Sequence, residues 1–377
     1  MGWHSSSTFL FLLITAFRDW GPSKTFLLMK KLLLLFAAML VAVAATHAQT
    51  PTATLSHEGT VKCFYGQQAF VNAVAESADG DHITLSSGLF TGTTIDKSIT
   101  VKGAGMSADT INAIEPTVIS TNVTINKENV TVEGAYIADY LYLYHYNNIK
   151  IISCTVEDNI NNYNSSKKGL VNKYFIGCKL LNINNGNGLS VFCDSINLYV
   201  NNCYINKLCN SGVNHYYANH IEVWNSIIGL GAGSSNTLPI QNSSLINSII
   251  IPKVSTAKLP SSNYAYYNVG IGASALFENI SAAYGAQIGI TNKVVSNYSD
   301  IFKTFTGSNM SEFETFELTT AAQTAYLGDD GTQVGIYGGS MPFNPKPNNP
   351  YITKCTVAEK STPQGTLSVD IEVRPAQ

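Results

Sequence analysis

The chain runs to 377 residues, with 22 lysines and arginines against 25 aspartates and glutamates, a net charge of −3. Charged residues make up only 12% of it, about half the usual share, which excludes the clustered basic surface that a nucleic-acid partner needs. The length suits one long array with a neutral, polar exterior and a small appendage.

Residues 1–28 carry an apolar run, FLFLLITAF, with no coherent role, and read as lying upstream of the true translation start. Met29-Lys30-Lys31 then opens LLLLFAAMLVAVAA, followed by Thr46-His47-Ala48. A basic start, a short apolar run and an A-x-A-like site before Gln49 make residues 29–48 a secretory signal. The run is too short for a membrane span, and no cysteine stands at the cleavage point to carry a lipid. The expectation is export, to the periplasm, cell surface or medium, with no transmembrane span once the signal is removed.

Residues 62–80 read as an N-terminal cap. Phe70, Val71, Val74 and Ala78 recur at helical spacing, and Gly80 stops the helix. Beyond it, from 81 to 341, the pattern becomes strand-like. Six copies of one unit are VTVEGAYI ending at Ile137, IKIISCTV at Val156, KYFIGCKL at Leu180, LYVNNCYI at Ile205, IEVWNSII at Ile228 and SSLINSII at Ile250. Aligned, they place Ala135, Cys154, Cys178, Cys203, Ser226 and Ser248 in one column, at spacings of 19, 24, 25, 23 and 22 residues. Strand units at that period make a coiled solenoid, in which each turn buries its apolar side only against its neighbours.

Taking the small residue as position 0, positions −3 and +2 are wholly apolar and must point inward, while −4 and +1 are mixed and read as outward. Position −1 holds Gly134, Ser153, Gly177, Asn202, Asn225 and Asn247. Glycine and asparagine tolerate a positive φ, so a tight corner belongs there. Stacking should bring Asn202, Asn225 and Asn247 into a side-chain amide ladder.

The array closes with GDDGTQVGIYGG, Gly328 to Gly339, in which Asp329, Asp330 and Gly331 read as a turn. Residues 342–350 form a Pro-rich linker, and 351–377 read as a strand pair around STPQG. The repeat, its corner residues, this closing segment and an opening segment from Ala69 to Gly105, ending ITVKGAG, together resemble the pectin-lyase-like superfamily of right-handed parallel β-helices, of bacterial secreted type, over about residues 62–341. The resemblance implies an all-β solenoid with an N-terminal capping helix and a short C-terminal β appendage. It implies little about function, since the fold carries lyases, hydrolases, adhesins and stalks.

Seven cysteines in an exported chain suggest disulfides. Cys154, Cys178 and Cys203, however, stack inward in consecutive coils, and parallel side chains are poorly oriented for bridging. A reduced packing ladder is the leading reading and one bridge within it the alternative. Cys63, Cys193, Cys209 and Cys355 stay unassigned.

A lyase of this superfamily would need carboxylates around a Ca2+ ion and a Lys or Arg base. After the signal the only arginine is Arg374, in the tail; Lys150 and Lys179 lack paired acids in adjacent coils and read as solvated. A hydrolase would need two carboxylates across one groove. Glu133, Asp139, Glu157, Asp158, Asp194 and Glu222 do not align one coil apart, leaving Glu222, Lys150 and Asp194 as weak catalytic candidates. His145, His215 and His220 share no column, so a zinc site or a nucleophilic triad has no support. No metal or cofactor is expected unless the lyase alternative holds.

What remains is aromatic. Tyr174 and Tyr199 share column −4, Tyr136 and Tyr204 share +1, and Trp224 stands at a corner. Such planes, rimmed by asparagine and serine, suit the apolar faces and hydroxyls of sugars. Equally, stacked tyrosines stabilise a sheet with no ligand at all. The expectation is therefore an exported, non-catalytic solenoid contacting polysaccharide or another surface. A divergent polysaccharide lyase or glycoside hydrolase is the alternative, and an adhesion stalk the third reading.

Overall fold

The computed structural model describes residues 50–108, 115–162, 171–180, 196–208, 218–230, 240–280, 292–307, 314–345, 351–357 and 369–374. The upstream segment, the signal, Asp194, Cys193, Cys209, His215 and the end of the Pro-rich linker lie outside the described residues.

The chain is a parallel β-solenoid. Among the described residues, one sheet has eleven strands and a second has ten, both ordered coil by coil. A four-stranded third sheet (Thr94–Ile95, Val123–Ile125, Leu141–Leu143, Ile160–Asn162) lines the early coils. Neighbouring coils pair in register, so Val132, Ile151, Phe175, Val200, Val223 and Leu245 lie side by side. Each is at most 1% exposed, and the same holds for Ile137, Val156, Ile205, Ile228 and Ile250 of the +2 column. The inward columns are thus as the repeat predicts. Tyr351–Val357 and Val369–Arg374 form a separate antiparallel pair.

The solenoid opens with a hairpin of β1 (Thr52–His57) and β2 (Thr60–Tyr65), and β1 pairs antiparallel with the first coil strand, β3 (His82–Leu85). Helix α1 (Ala69–Glu76) buries Ala69, Phe70, Ala73 and Val74 over the open end. It stops one turn before Gly80 because the Ser77 hydroxyl donates to the Val74 carbonyl, while the Ala78 amide donates to the Asp81 carboxylate, 2.7 Å away.

Asp81 also meets His57 Nδ1 at 2.6 Å, pinning β1 to the turn. That bond, more than the accompanying charge attraction, raises the His57 pKa above 6.5. Burial pulls Asp81 upward, but the Ala78 amide and His57 outweigh it and hold the carboxyl below 3.8. A raised histidine stabilises the fold below its unfolded pKa and loses that contribution as pH rises through the folded value; a lowered aspartate does the reverse on the acid side. The cap should therefore be tightest between about pH 4 and 6.5. In an NMR titration, Asp81→Asn should return the His57 pKa toward 6.5; an unmoved titration would show that the pair does not form in solution.

The small-residue column turns out to be a hydrogen-bond stack. Ser226 and Ser248 donate to the carbonyls two residues earlier at 2.7 and 2.8 Å. The thiols of Cys154, Cys178 and Cys203 point at the equivalent carbonyls. Cys203, Ser226 and Ser248 also accept the amide of the preceding coil: Cys178 N–H to Cys203 Sγ, Cys203 N–H to Ser226 Oγ, Ser226 N–H to Ser248 Oγ. The column continues through Asn268 and Asn292, which take the amides of Ser248 and Asn268 at 3.0 and 3.1 Å. A short side chain that both donates and accepts satisfies backbone groups that a buried corner would otherwise orphan. The three cysteines are buried and free, and burial pushes the Cys154 and Cys178 thiols up. Cys63 is free and exposed.

Position −1 adopts positive φ in all six copies, from 46° to 68°. The expected amide ladder along it does not form. Asn202 instead donates to the Ile336 and Gly338 carbonyls at 2.9 and 2.8 Å. Asn247 exchanges two bonds with Asp329 and accepts the Gly335 amide on its carbonyl. The closing segment is a strap lying along the corners, so close that a Cβ on Gly339 would sit 2.3 Å from Asn225 Nδ2. That proximity is why glycine stands there.

The strap also overturns the outward reading of column +1. Tyr204, Ile227, Ile249 and Val269 lie beneath Ile301, Phe302, Phe305, Phe316, Leu318, Val334, Ile336 and Phe343, forming a second apolar cluster outside the solenoid. Lys179, read as solvated, is 8% exposed with its ammonium 5.8 Å from the Phe343 ring. Tyr204, read as a ligand contact, is fully buried against Phe316 at 4.4 Å. Its hydroxyl is buried and has no hydrogen-bond partner among the described residues. An unmade hydrogen bond of this kind costs about 1–3 kcal/mol, so Tyr204→Phe should raise stability by about 1 kcal/mol in urea denaturation. A loss of stability would mean that the hydroxyl is bonded.

Candidate functional site

Where the later coils of the second sheet are covered, the outer face of the first sheet still carries a partly exposed aromatic column. Register places Thr131, Lys150, Tyr174, Tyr199, Glu222, Ser244 and Tyr264 in one outward column. The Tyr174 and Tyr199 rings stack at 4.9 Å and 12°. The Lys150 ammonium lies 6.0 Å from the Tyr174 centroid, at the edge of cation–π range. Burial, then the nearby Glu222 charge, raises the Tyr199 pKa, so its hydroxyl stays a neutral donor.

Two residues along each strand, on the same face, runs a more apolar column: Ile152, Ile176, Asn201, Trp224, Ile246 and Tyr266. Trp224 is half-buried there, about 8 Å from Tyr199 by strand geometry. The Asn201 side-chain amide oxygen, between Ile176 and Trp224, is buried and has no hydrogen-bond partner among the described residues. Two residues the other way stands a column of asparagines, with Asn148 donating to Asn129 at 2.8 Å and Asn197 to Asn172 at 2.9 Å. The face is thus three parallel tracks, of amide, stacked aromatic and apolar character.

Sequence alignment alone could have exposed the asparagine track, which sits six residues before the small-residue column in five of the six copies. Tyr264 and Tyr266 escaped notice for a different reason. They belong to a seventh unit, NYAYYNVG, whose column residue is Asn268 rather than a serine or cysteine. Their rings meet edge to face at 4.9 Å.

Tyr136 is not part of this face. It lies on the second sheet, where its hydroxyl donates to Glu157. The other acids are similarly engaged: Glu133 pairs with Lys102 at 3.2 Å, and Asp139 and Asp158 accept the amides that follow them. Lys150 and Glu222 share the aromatic column but stand three coils apart, roughly 14 Å. A general acid and base acting on one bond need about 5–10 Å. His145 is 4% exposed, and His220 is exposed at a strand entry. Among the described residues, no three His, Cys, Asp or Glu side chains group together, and no helix is long and apolar enough to cross a membrane.

Comparison of the chain with protein-family models, with curated proteins and with solved structures found no match in any of the three.

Proposed function

We propose that this chain is an exported, non-catalytic β-helix of pectin-lyase-like type that holds polysaccharide along the outer face of its first sheet. The signal at residues 29–48 supports export, and the opening and closing segments support the superfamily. The observation that carries the reading is the Tyr174–Tyr199 stack, set between an asparagine ladder and an apolar strip whose Asn201 side-chain oxygen has no hydrogen-bond partner among the described residues. Ring faces take the apolar side of a pyranose, and fixed amides take its hydroxyls. The wide separation of Lys150 and Glu222 favours holding over cleaving.

Affinity electrophoresis against acidic and neutral polysaccharides tests this, with unsaturated products and reducing ends followed in parallel. Wild-type migration should be retarded in at least one polymer without product, and Tyr174→Ala/Tyr199→Ala should weaken binding about tenfold or more. Product that disappears in Glu222→Gln or Lys150→Ala would establish the lyase or hydrolase reading instead. Retardation unaffected by the double substitution would reduce the tyrosines to sheet stacking.

A further inference from the structure

Strand β2 ends the first sheet and has no strand partner but β1 among the described residues. The Gly66 amide donates to the Pro51 carbonyl at 2.8 Å, and hydrogen-bonded pairs alternate with non-bonded ones along an antiparallel ladder. In the register of β1 with β2, Thr60, Lys62 and Phe64 therefore bond to β1, while Val61, Cys63 and Tyr65 turn N–H and C=O to the free edge. The side chains of those same three residues share the outward face, opposite buried Phe64. Val61 and Tyr65, 62% and 69% exposed, are the most exposed large hydrophobic residues among those described. Between them Cys63 is a free, exposed thiol. Proteins commonly blunt such an edge with proline, a bulge or charge. β2 has no proline and no bulge, and its one charge, Lys62, is held by Glu76 on the other face.

We infer that this edge docks the same strand of a second copy of the chain, antiparallel, about a two-fold axis at Cys63. The pattern of the strand selects a second copy, because it is self-complementary about that residue. Pairing centred on Cys63 sets Val61 against Tyr65 of the second copy on both sides of the axis, an aromatic and a β-branched residue face to face. On the other face Lys62 meets Phe64 of the second copy, repeating the contact its ammonium makes with its own Phe64 ring at 5.2 Å. Glu76 already neutralises Lys62, so two copies approach without like-charge repulsion. Moving the axis to Val61 or Tyr65 leaves at most half of the strand paired. A strand pair this short buries less than the roughly 1,200 Å² of a standard interface, so alone it is reversible. The two Cys63 Cα atoms, as a hydrogen-bonded pair, stand about 5.5 Å apart, inside the range of a disulfide. A small-molecule disulfide then closes the contact: the two thiols give up two protons and two electrons to form one S–S bond, and the oxidant takes them up as two thiols. The docking uses none of the residues that the polysaccharide reading invokes.

Sedimentation of the purified exported chain in reductant, over a concentration series, should show a reversible monomer–dimer equilibrium. Oxidised glutathione should convert it to a dimer linked through Cys63, read by peptide mass spectrometry. In the dimer the amides of Val61, Cys63 and Tyr65 should exchange slowly and become fast on dilution in reductant, while those of Lys62 and Phe64 stay protected throughout. Val61→Lys/Tyr65→Lys sets like charges opposite each other across the axis. It should weaken association about tenfold or more with thermal stability unchanged, since both side chains are exposed. Val61→Lys/Tyr65→Glu adds as many charges but sets opposite signs face to face, and should associate as wild type does. A monomer at every concentration overturns the docking, as does association that both variants weaken equally or that neither alters. Cross-linking as fast in Val61→Lys/Tyr65→Lys as in wild type reduces the contact to collision of exposed thiols and overturns it too. Should that variant lose stability, the wild-type exchange decides: three edge amides unprotected in the dimer place the contact elsewhere.

Discussion

Replacing Phe316 with alanine is expected to cost about 3–5 kcal/mol of stability, the range for a buried phenylalanine truncated in a packed core. Phe316 is 1% exposed and its ring meets Tyr204, Phe305 and Phe302 at 4.4, 5.2 and 5.9 Å. It is the point at which the strap is keyed into the second sheet. Its φ is +54°, and alanine meets the same backbone constraint, so the substitution isolates the ring. The urea midpoint should fall. Amide exchange should rise first over residues 301–343 and at Tyr204, Ile227 and Ile249, before the inner columns respond. A change under about 1 kcal/mol, or uniform loss of protection along the solenoid, would show that the outer cluster is not a separate layer.

Asn202 should be the most sensitive position of the corner column. Its amide donates to two strap carbonyls, at Ile336 and Gly338, and the residue is 1% exposed. Removing the amide leaves the buried Gly338 carbonyl without this donor, at about 1–3 kcal/mol, while the Ile336 carbonyl keeps the Phe343 amide. Alanine also has to accept φ +50°, a further cost of about 1 kcal/mol that glycine avoids. Asn202→Ala is therefore expected to lose about 2–4 kcal/mol and Asn202→Gly about 1 less, measured by chemical denaturation. Equal losses would deny the backbone a part. Losses near zero in both would mean that the strap does not need this corner.

Inward positions −3 and +2 could be read directly, because an apolar side chain in every coil has only one place to go. The turn at −1 was equally plain, since glycine and asparagine mark positive φ whatever surrounds them. The partners of Asn202 and Asn247 were hidden because they stand 134 and 82 residues away, and no local pattern encodes that distance. Tyr204 failed as a surface residue for the same reason. Its column is mixed in the early coils and turns apolar at Ile227 and Ile249, a signal that some later segment must cover it. Of the aromatic face, Tyr174 and Tyr199 followed from column position, whereas Tyr264, Tyr266 and Tyr267 needed the seventh coil to be seen.

By itself, then, the amino-acid order determined the solenoid, its period, its buried columns and its corners. Those properties repeat every coil and are set by whether a side chain prefers water and whether a backbone tolerates a left-handed turn. Only the tertiary structure decided which outer face stays open. That choice depends on where a single, non-repeating strap comes to lie. Burial of Phe302, Phe305, Phe316 and Phe343 against the second sheet settles it, and leaves the tyrosines of the first sheet partly exposed.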